Sequence, residues 1–175
     1  MKIIAFAATS SRKSINKQLA SHAASLVENA QVEVLDINDY EMPLFSEDRE
    51  AELGKPQLAQ DFIDKIASAD ALVIGFAEHN GSYTAAYKNL FDWSSRTLQK
   101  VYQNKPLVLL ATSPGPGGAA TVLAAAVNSA PYFAGDVKAH LSVPSFYDNF
   151  DSEKGQLTNT EYSDKLASAM AMLSK

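Results

Sequence analysis

The chain has 175 residues, 46% of them hydrophobic, and a formal net charge of −5. That length and apolar content suit one domain with a sizeable core, predicted here as a single unit over 1–175. The acidic balance, with Lys and Arg scattered, argues against a nucleic-acid partner. Cysteine is absent, which excludes a disulfide framework, a thiol nucleophile and cysteine-ligated metal centres. The N-terminal apolar run, Ile3 to Ala8, is shorter than a signal-peptide core, and no stretch approaches the roughly 20 apolar residues that span a bilayer. The expectation is a cytoplasmic protein with no membrane contact and no metal.

Ile3 to Ala8 is continuously apolar, as a strand buried on both faces reads. Ile15, Leu19, Ala23 and Leu26 then recur at helical spacing, and Val32 to Ile37 predicts a second strand. Asn38 to Lys55 reads as a polar loop with Pro43 and Gly54, and Pro56 suits the first turn of a helix carrying Leu58, Phe62 and Ile66 on one face. Ala71 to Phe76 is a third strand, Ala85 to about Leu98 a helix, and Pro106 to Thr112 a fourth strand. Ser113 to Gly118 is a loop leading into an Ala-rich helix, Ala119 to Ser129. A fifth strand lies within Val137 to Val143. Thr158 and Glu161 suggest a capping box before a last helix with Leu166, Met170 and Leu173 inward.

Five strands alternating with five helices imply a parallel sheet covered on both faces. The expected fold is α/β, flavodoxin-like and doubly wound, with strand order 2-1-3-4-5. Its ligand belongs outside the carboxyl ends of the strands, where the loops after strands one, three and four converge.

Those loops hold the candidate site. The first, Thr9 to Asn16, contains four hydroxyls and Arg12 but no glycine. At a helix N-terminus it is suited to an anion, in particular a terminal phosphate monoester. The bland alternative is a solvated turn with Ser14 as helix cap. In the second, Ala77 to Thr84, the Asn80-Gly81 pair favours positive φ and turns backbone amides toward a flat heterocycle. His79 can donate, accept or stack there, or be an ordinary loop histidine. Tyr83, Tyr87 and Trp93 fit a pocket lining or, by default, core packing. The third loop has three glycines and two prolines, a bare backbone open to a planar ring.

Ser10 to Ala20, Glu78 to Trp93 and Ser113 to Gly118 together resemble the NAD(P)H-dependent FMN reductase family, the flavodoxin-like group that includes chromate, quinone and azo-dye reductases. The middle segment, with Glu78-His79-Asn80-Gly81-Ser82-Tyr83 followed by Lys88-Asn89 and Asp92-Trp93, is the most specific. The resemblance implies that Ser10, Arg12, Ser14, Ile15 and Asn16 surround an FMN phosphate. It implies that Glu78, His79, Asn80 and Gly81 line the isoalloxazine, with Ser113, Gly115, Gly117 and Gly118 along its other side. It further implies hydride transfer from NAD(P)H to the flavin, then electron transfer to a small acceptor such as a quinone or free flavin, with no side chain as acid or base. A homodimer or homotetramer is the expected assembly, with the helix carrying Tyr87, Phe91 and Trp93 as a candidate contact face. The competing expectation is a flavodoxin-type carrier that binds FMN without oxidising nicotinamide. Thr9, Ala77, His79, Pro114 and Pro116 depart from the family pattern.

Overall fold

In the computed structural model, which describes residues 1–174, five parallel strands form one sheet. They are β1 (Lys2–Ala8), β2 (Gln31–Leu35), β3 (Ala71–Phe76), β4 (Pro106–Thr112) and β5 (Asp136–Val143). Their order is β2-β1-β3-β4-β5, as expected. Successive residues of β1 feed opposite cores. Ile3 and Ala5 meet helices α1 (Ile15–Ser25) and α7 (Thr160–Ala171), while Ile4 and Phe6 face α3 (Gln57–Ala67), α4 (Ala85–Thr97) and α5 (Ala120–Ser129). Both faces are therefore covered, which is why Ile3–Ala8 of β1, all of β3 and Leu107–Ala111 of β4 are apolar.

The sequence expectation misses several details. Asn38 to Lys55 is not simply a loop: it holds a 3₁₀ turn, Ile37–Tyr40, and α2 (Glu47–Leu53). Ser46 caps α2 by accepting from Arg49 N, and Glu47, Asp48 and Glu50 lie in its first turn, where the helix dipole favours negative charge. No residue of α2 is buried, so there was no hydrophobic period to read. Ile37 leaves the second strand because Asp36 accepts from Asn38 N and starts the turn. Pro56 is the cap of α3 and not its first residue. The cap of α7 is Asn159, which accepts from Glu161 N and Tyr162 N, so the Thr158–Glu161 capping box does not form. After β5 come a short helix, α6 (Phe146–Asn149), and a small hairpin of β6 (Phe150–Asp151) and β7 (Gln156–Leu157), none of it anticipated. The helices thus number seven among the described residues, not five.

Tyr87 and Trp93 are core residues, 3% and 0% exposed, and Phe91 is only half-buried. The predicted contact face of α4 is therefore largely internal. Tyr87 and Tyr102 are both buried and their hydroxyls lie 2.9 Å apart. Burial pushes both phenols well above their ordinary range. A raised folded-state pKa stabilises the native state fully below the unfolded phenol value, and that stability is lost as pH rises beyond it. The urea midpoint should accordingly fall as pH climbs past about 10. A Tyr87→Phe/Tyr102→Phe double variant should show a flatter alkaline limb, and an equally steep one would remove the pair as its source.

Candidate functional site

At the carboxyl edge of the sheet, the loops after β1, β3 and β4 enclose a cleft of about 250 Å³. This is the switch point, where α1 leaves to one face of the sheet and α4 to the other. The β1 loop contributes Ser11, Lys13 and Ser14, the β3 loop Ala77 to His79, and the β4 loop Ser113 and Pro114.

Each wall has a local cause. Ser14 is the N-cap of α1, accepting from Lys17 N at 3.2 Å, so the capping reading holds. It caps the helix while lining the cleft. Asn16, 2% exposed, spends its amide on β4: Nδ2 donates to Thr112 O (3.0 Å) and Oδ1 accepts from Thr112 N (2.9 Å). The first turn of α1 is thereby clamped against the fourth strand. The resemblance assigns Asn16 to a phosphate, but its side-chain hydrogen bonds go to this clamp. Thr84 caps α4 and also donates to Ala8 O at 2.9 Å, fixing the start of α4 to the end of β1.

Asn80 and Gly81 have φ of 52° and 75°, and His79 and Ser82 exchange backbone hydrogen bonds of 3.0 and 3.1 Å across them. This two-residue turn with positive φ at both centres is the form the Asn-Gly pair predicts. Its tip is exposed and lies off the cleft wall, whereas His79 lines the wall. Glu78 reaches sideways: its Oε2 accepts from Val122 N at 2.8 Å. Ala119, the residue before α5, has no capping side chain, so Glu78 satisfies an otherwise orphaned first-turn N–H.

Six of the expected residues line the cleft: Ser14, Ile15, Asn16, Glu78, His79 and Ser113. The structure does not bring the others into it. Ser10 faces a neighbouring hollow of about 440 Å³ with Asn38, Tyr40 and Asn89. Arg12 projects to the outer side of its loop, and Lys13 is the cation on the cleft wall. Gly115 and Gly117 border open space, where an added Cβ would meet nothing within 4 Å. Gly118 is a packing residue. With φ of +58°, a Cβ there would sit 2.3 Å from Ser142 Oγ and 3.1 Å from Pro144 N.

Sequence reasoning missed Lys13 as a cleft residue, and it missed Tyr147. That ring is 68% exposed, lines the cleft from α6, and is carried on the buried anchor Phe146. Ser145 N donates to Gly115 O (2.9 Å) and Phe146 N to Ser113 O (3.0 Å), which ties α6 to the β4 loop. Only the run Phe146-Tyr147 beside Pro144 offered a signal for this.

The middle signature also has a structural basis. Asn89 donates to Met42 O and Pro43 O and accepts from Phe45 N, and the Trp93 indole N–H donates to Pro43 O at 2.7 Å. These residues fasten the 42–45 segment beside the site. Lys88 and Asp92 form an exposed ion pair one helical turn apart.

Topology and cleft position define a flavodoxin-like α/β protein. The chain belongs to the NADPH-dependent FMN reductase family, whose sequence model matches residues 1–148. It is 37% identical over 122 residues to a 2-hydroxy-1,4-benzoquinone reductase of a Burkholderia species, covering 69% of this chain and 64% of that protein. It is 32% identical over 121 residues to an NAD(P)H-dependent FMN reductase of Pseudomonas aeruginosa, again with 69% and 64% coverage. The match thus spans less than two-thirds of the length of either relative. A flavoenzyme NAD(P)H:(acceptor) oxidoreductase of Paracoccus denitrificans has the same fold. Its TM-score is 0.76 at 24% identity, covering 99% of this chain and 95% of that one. Among the described residues no helix is long and apolar enough to cross a membrane.

Proposed function

We propose that this protein is an NAD(P)H-dependent FMN oxidoreductase, working as one FMN-binding unit over 1–175 and passing electrons to a small acceptor such as a quinone or free flavin. The observation that carries the reading is the clamped cleft at the switch point, in a chain belonging to the FMN reductase family. The names of the Burkholderia and Pseudomonas relatives support the acceptor class. The proposed setting is the cytoplasm, and the proposed assembly a homodimer or homotetramer.

The residues present fit the cofactor. Ser11, Lys13 and the first-turn N–H groups of α1 supply the hydrogen bonds and positive potential that a phosphate monoester needs. Ser14 and Asn16 hold that turn in place. Ser113 and Pro114 bound one side of the cleft, and the open backbone of Gly115 and Gly117 lies beyond it. Ala77, Glu78 and His79 bound the other side. FMN would supply the hydride chemistry when bound. The chain orients it and offers backbone donors to charge on the ring. Tyr147 lines the same cleft from α6.

An absorbance spectrum of the purified protein with added FMN, recorded anaerobically before and after NADPH, tests this reading. The expected result is a bound-flavin spectrum that bleaches. A flavin that binds and stays yellow would leave the carrier reading in its place, and a protein that takes up no FMN would overturn both. Lys13→Ala should weaken FMN by about 1.5–3 kcal/mol, the loss of a charge-assisted hydrogen bond, read by titrating flavin fluorescence. Unchanged affinity would put the phosphate elsewhere.

A further inference from the structure

A second hollow opens on the other side of the β1 loop, an open groove of about 620 Å³ along the outer face of α1. Its size lies within the range of small-molecule sites. It shares Lys13 and Ser14 with the cleft, so the two spaces are contiguous across one loop. Ser14, Gln18, Ser21, His22 and Ser25 recur at three- and four-residue intervals and form one helix face. The opposite wall is the β6–β7 hairpin, at Ser152 and Gly155.

The charge of this groove departs from that of the whole chain. The protein carries −5 overall, yet none of the residues lining the groove is acidic. Asp151, next to its wall, is turned into its own hairpin and accepts from Glu153 N and Lys154 N. Lys17 is offset by Asp36 at 3.1 Å. Arg12 and Lys13 form no ion pair among the described residues, and both lie at the end nearest the cleft. Farther down, the lining is neutral and polar: Gln18, Ser21 and Ser25, with His22 half-buried edge-on against Phe150. Burial lowers the His22 pKa, which favours a neutral ring at pH 7.

A strip that is cationic at one end and neutral, hydroxyl-rich at the other matches an adenosine diphosphate. We propose that the groove along α1 binds the adenosine diphosphate half of the nicotinamide donor. Arg12 holds its diphosphate, and the adenosine lies over Gln18, Ser21 and Ser25. The shared loop then lets one ligand extend from the groove into the cleft with its nicotinamide leading. Naming the donor rests on the function proposed above, whereas the affinity for an adenosine diphosphate does not.

The test is calorimetric titration of ADP into the FMN-supplemented protein, with inorganic phosphate and FAD as parallel arms. A Ser21→Glu/Ser25→Glu variant places two carboxylates far from the cleft. ADP should bind, compete with NADPH in steady-state assays, and lose affinity about tenfold in the variant. The KM for NADPH should rise in parallel while the FMN dissociation constant stays within about twofold. No ADP binding to the wild-type protein would overturn the proposal, and this arm does not depend on the variant folding. So would ADP affinity unchanged in a folded variant, or inorganic phosphate competing as well as ADP. FAD displacing FMN would also overturn it, because the groove would then serve the flavin. If the protein takes up no FMN, the functional reading fails while the ADP titration still reports on the groove.

Discussion

Replacing Asn16 by alanine should destabilise the protein by about 2–5 kcal/mol, although the residue is small, polar and near a helix start. The loss removes two buried hydrogen bonds and strands their partners, the N–H and C=O of Thr112. Each buried group left unpaired costs about 1–3 kcal/mol. The damage concentrates where α1, β4 and β5 meet, because Thr112 also donates its hydroxyl to Val143 O at 2.6 Å. A lower urea midpoint with an unchanged slope is expected. A shift of less than about 0.5 kcal/mol, the scale of an ordinary surface substitution, would mean that the clamp is not maintained in solution.

Trp93→Ala should be at least as severe. The side chain is fully buried, and truncating such an aromatic costs about 3–5 kcal/mol. Trp93 also packs edge-to-face on Phe45, with ring centroids 5.0 Å apart, and its N–H holds Pro43 O. The 42–45 segment should therefore loosen together with the core. Asn89 grips the same segment, so Trp93→Ala and Asn89→Ala should be non-additive by about 0.5–3 kcal/mol in a double-mutant cycle. Because Trp93 is the single tryptophan, circular dichroism must follow the unfolding. Strict additivity would separate the two anchors.

These two residues show what the sequence disclosed and what it kept back. Strands β1, β3 and β4 were legible because burial on both faces leaves continuous apolar runs, and the strand order followed from the crossover rule. Helix α2 was not legible, since a helix held by its Ser46 cap and the Arg96–Glu50 ion pair writes no apolar stripe. The three loops were legible as a site because their place in the topology is fixed. The tasks of their side chains were not. Asn16 looks like a ligand contact until Thr112, 96 residues away in the chain, is seen to occupy it. Glu78 has the same character: it precedes a turn in the sequence but serves the start of a distant helix. Asn89 and Trp93 were legible as a family signature, yet their contacts lie in a segment that no local pattern connects to them.

The edges of the sheet bear on how copies of this chain could meet. Each outer strand exposes one side of its backbone, where another strand could pair. On β2 the flanking side chains include Gln31 and Glu33, and Glu33 is tied to Lys2 and Lys65. On β5 the register slips between Val137 and Ala139, so Lys138 bulges out of the ladder and pairs with Asp136 at 2.8 Å. A charged bulge on one margin and a cluster of fixed charges on the other discourage strand-to-strand growth. Association would have to proceed through the helical layers, leaving the sheet a closed unit of five strands inside each subunit.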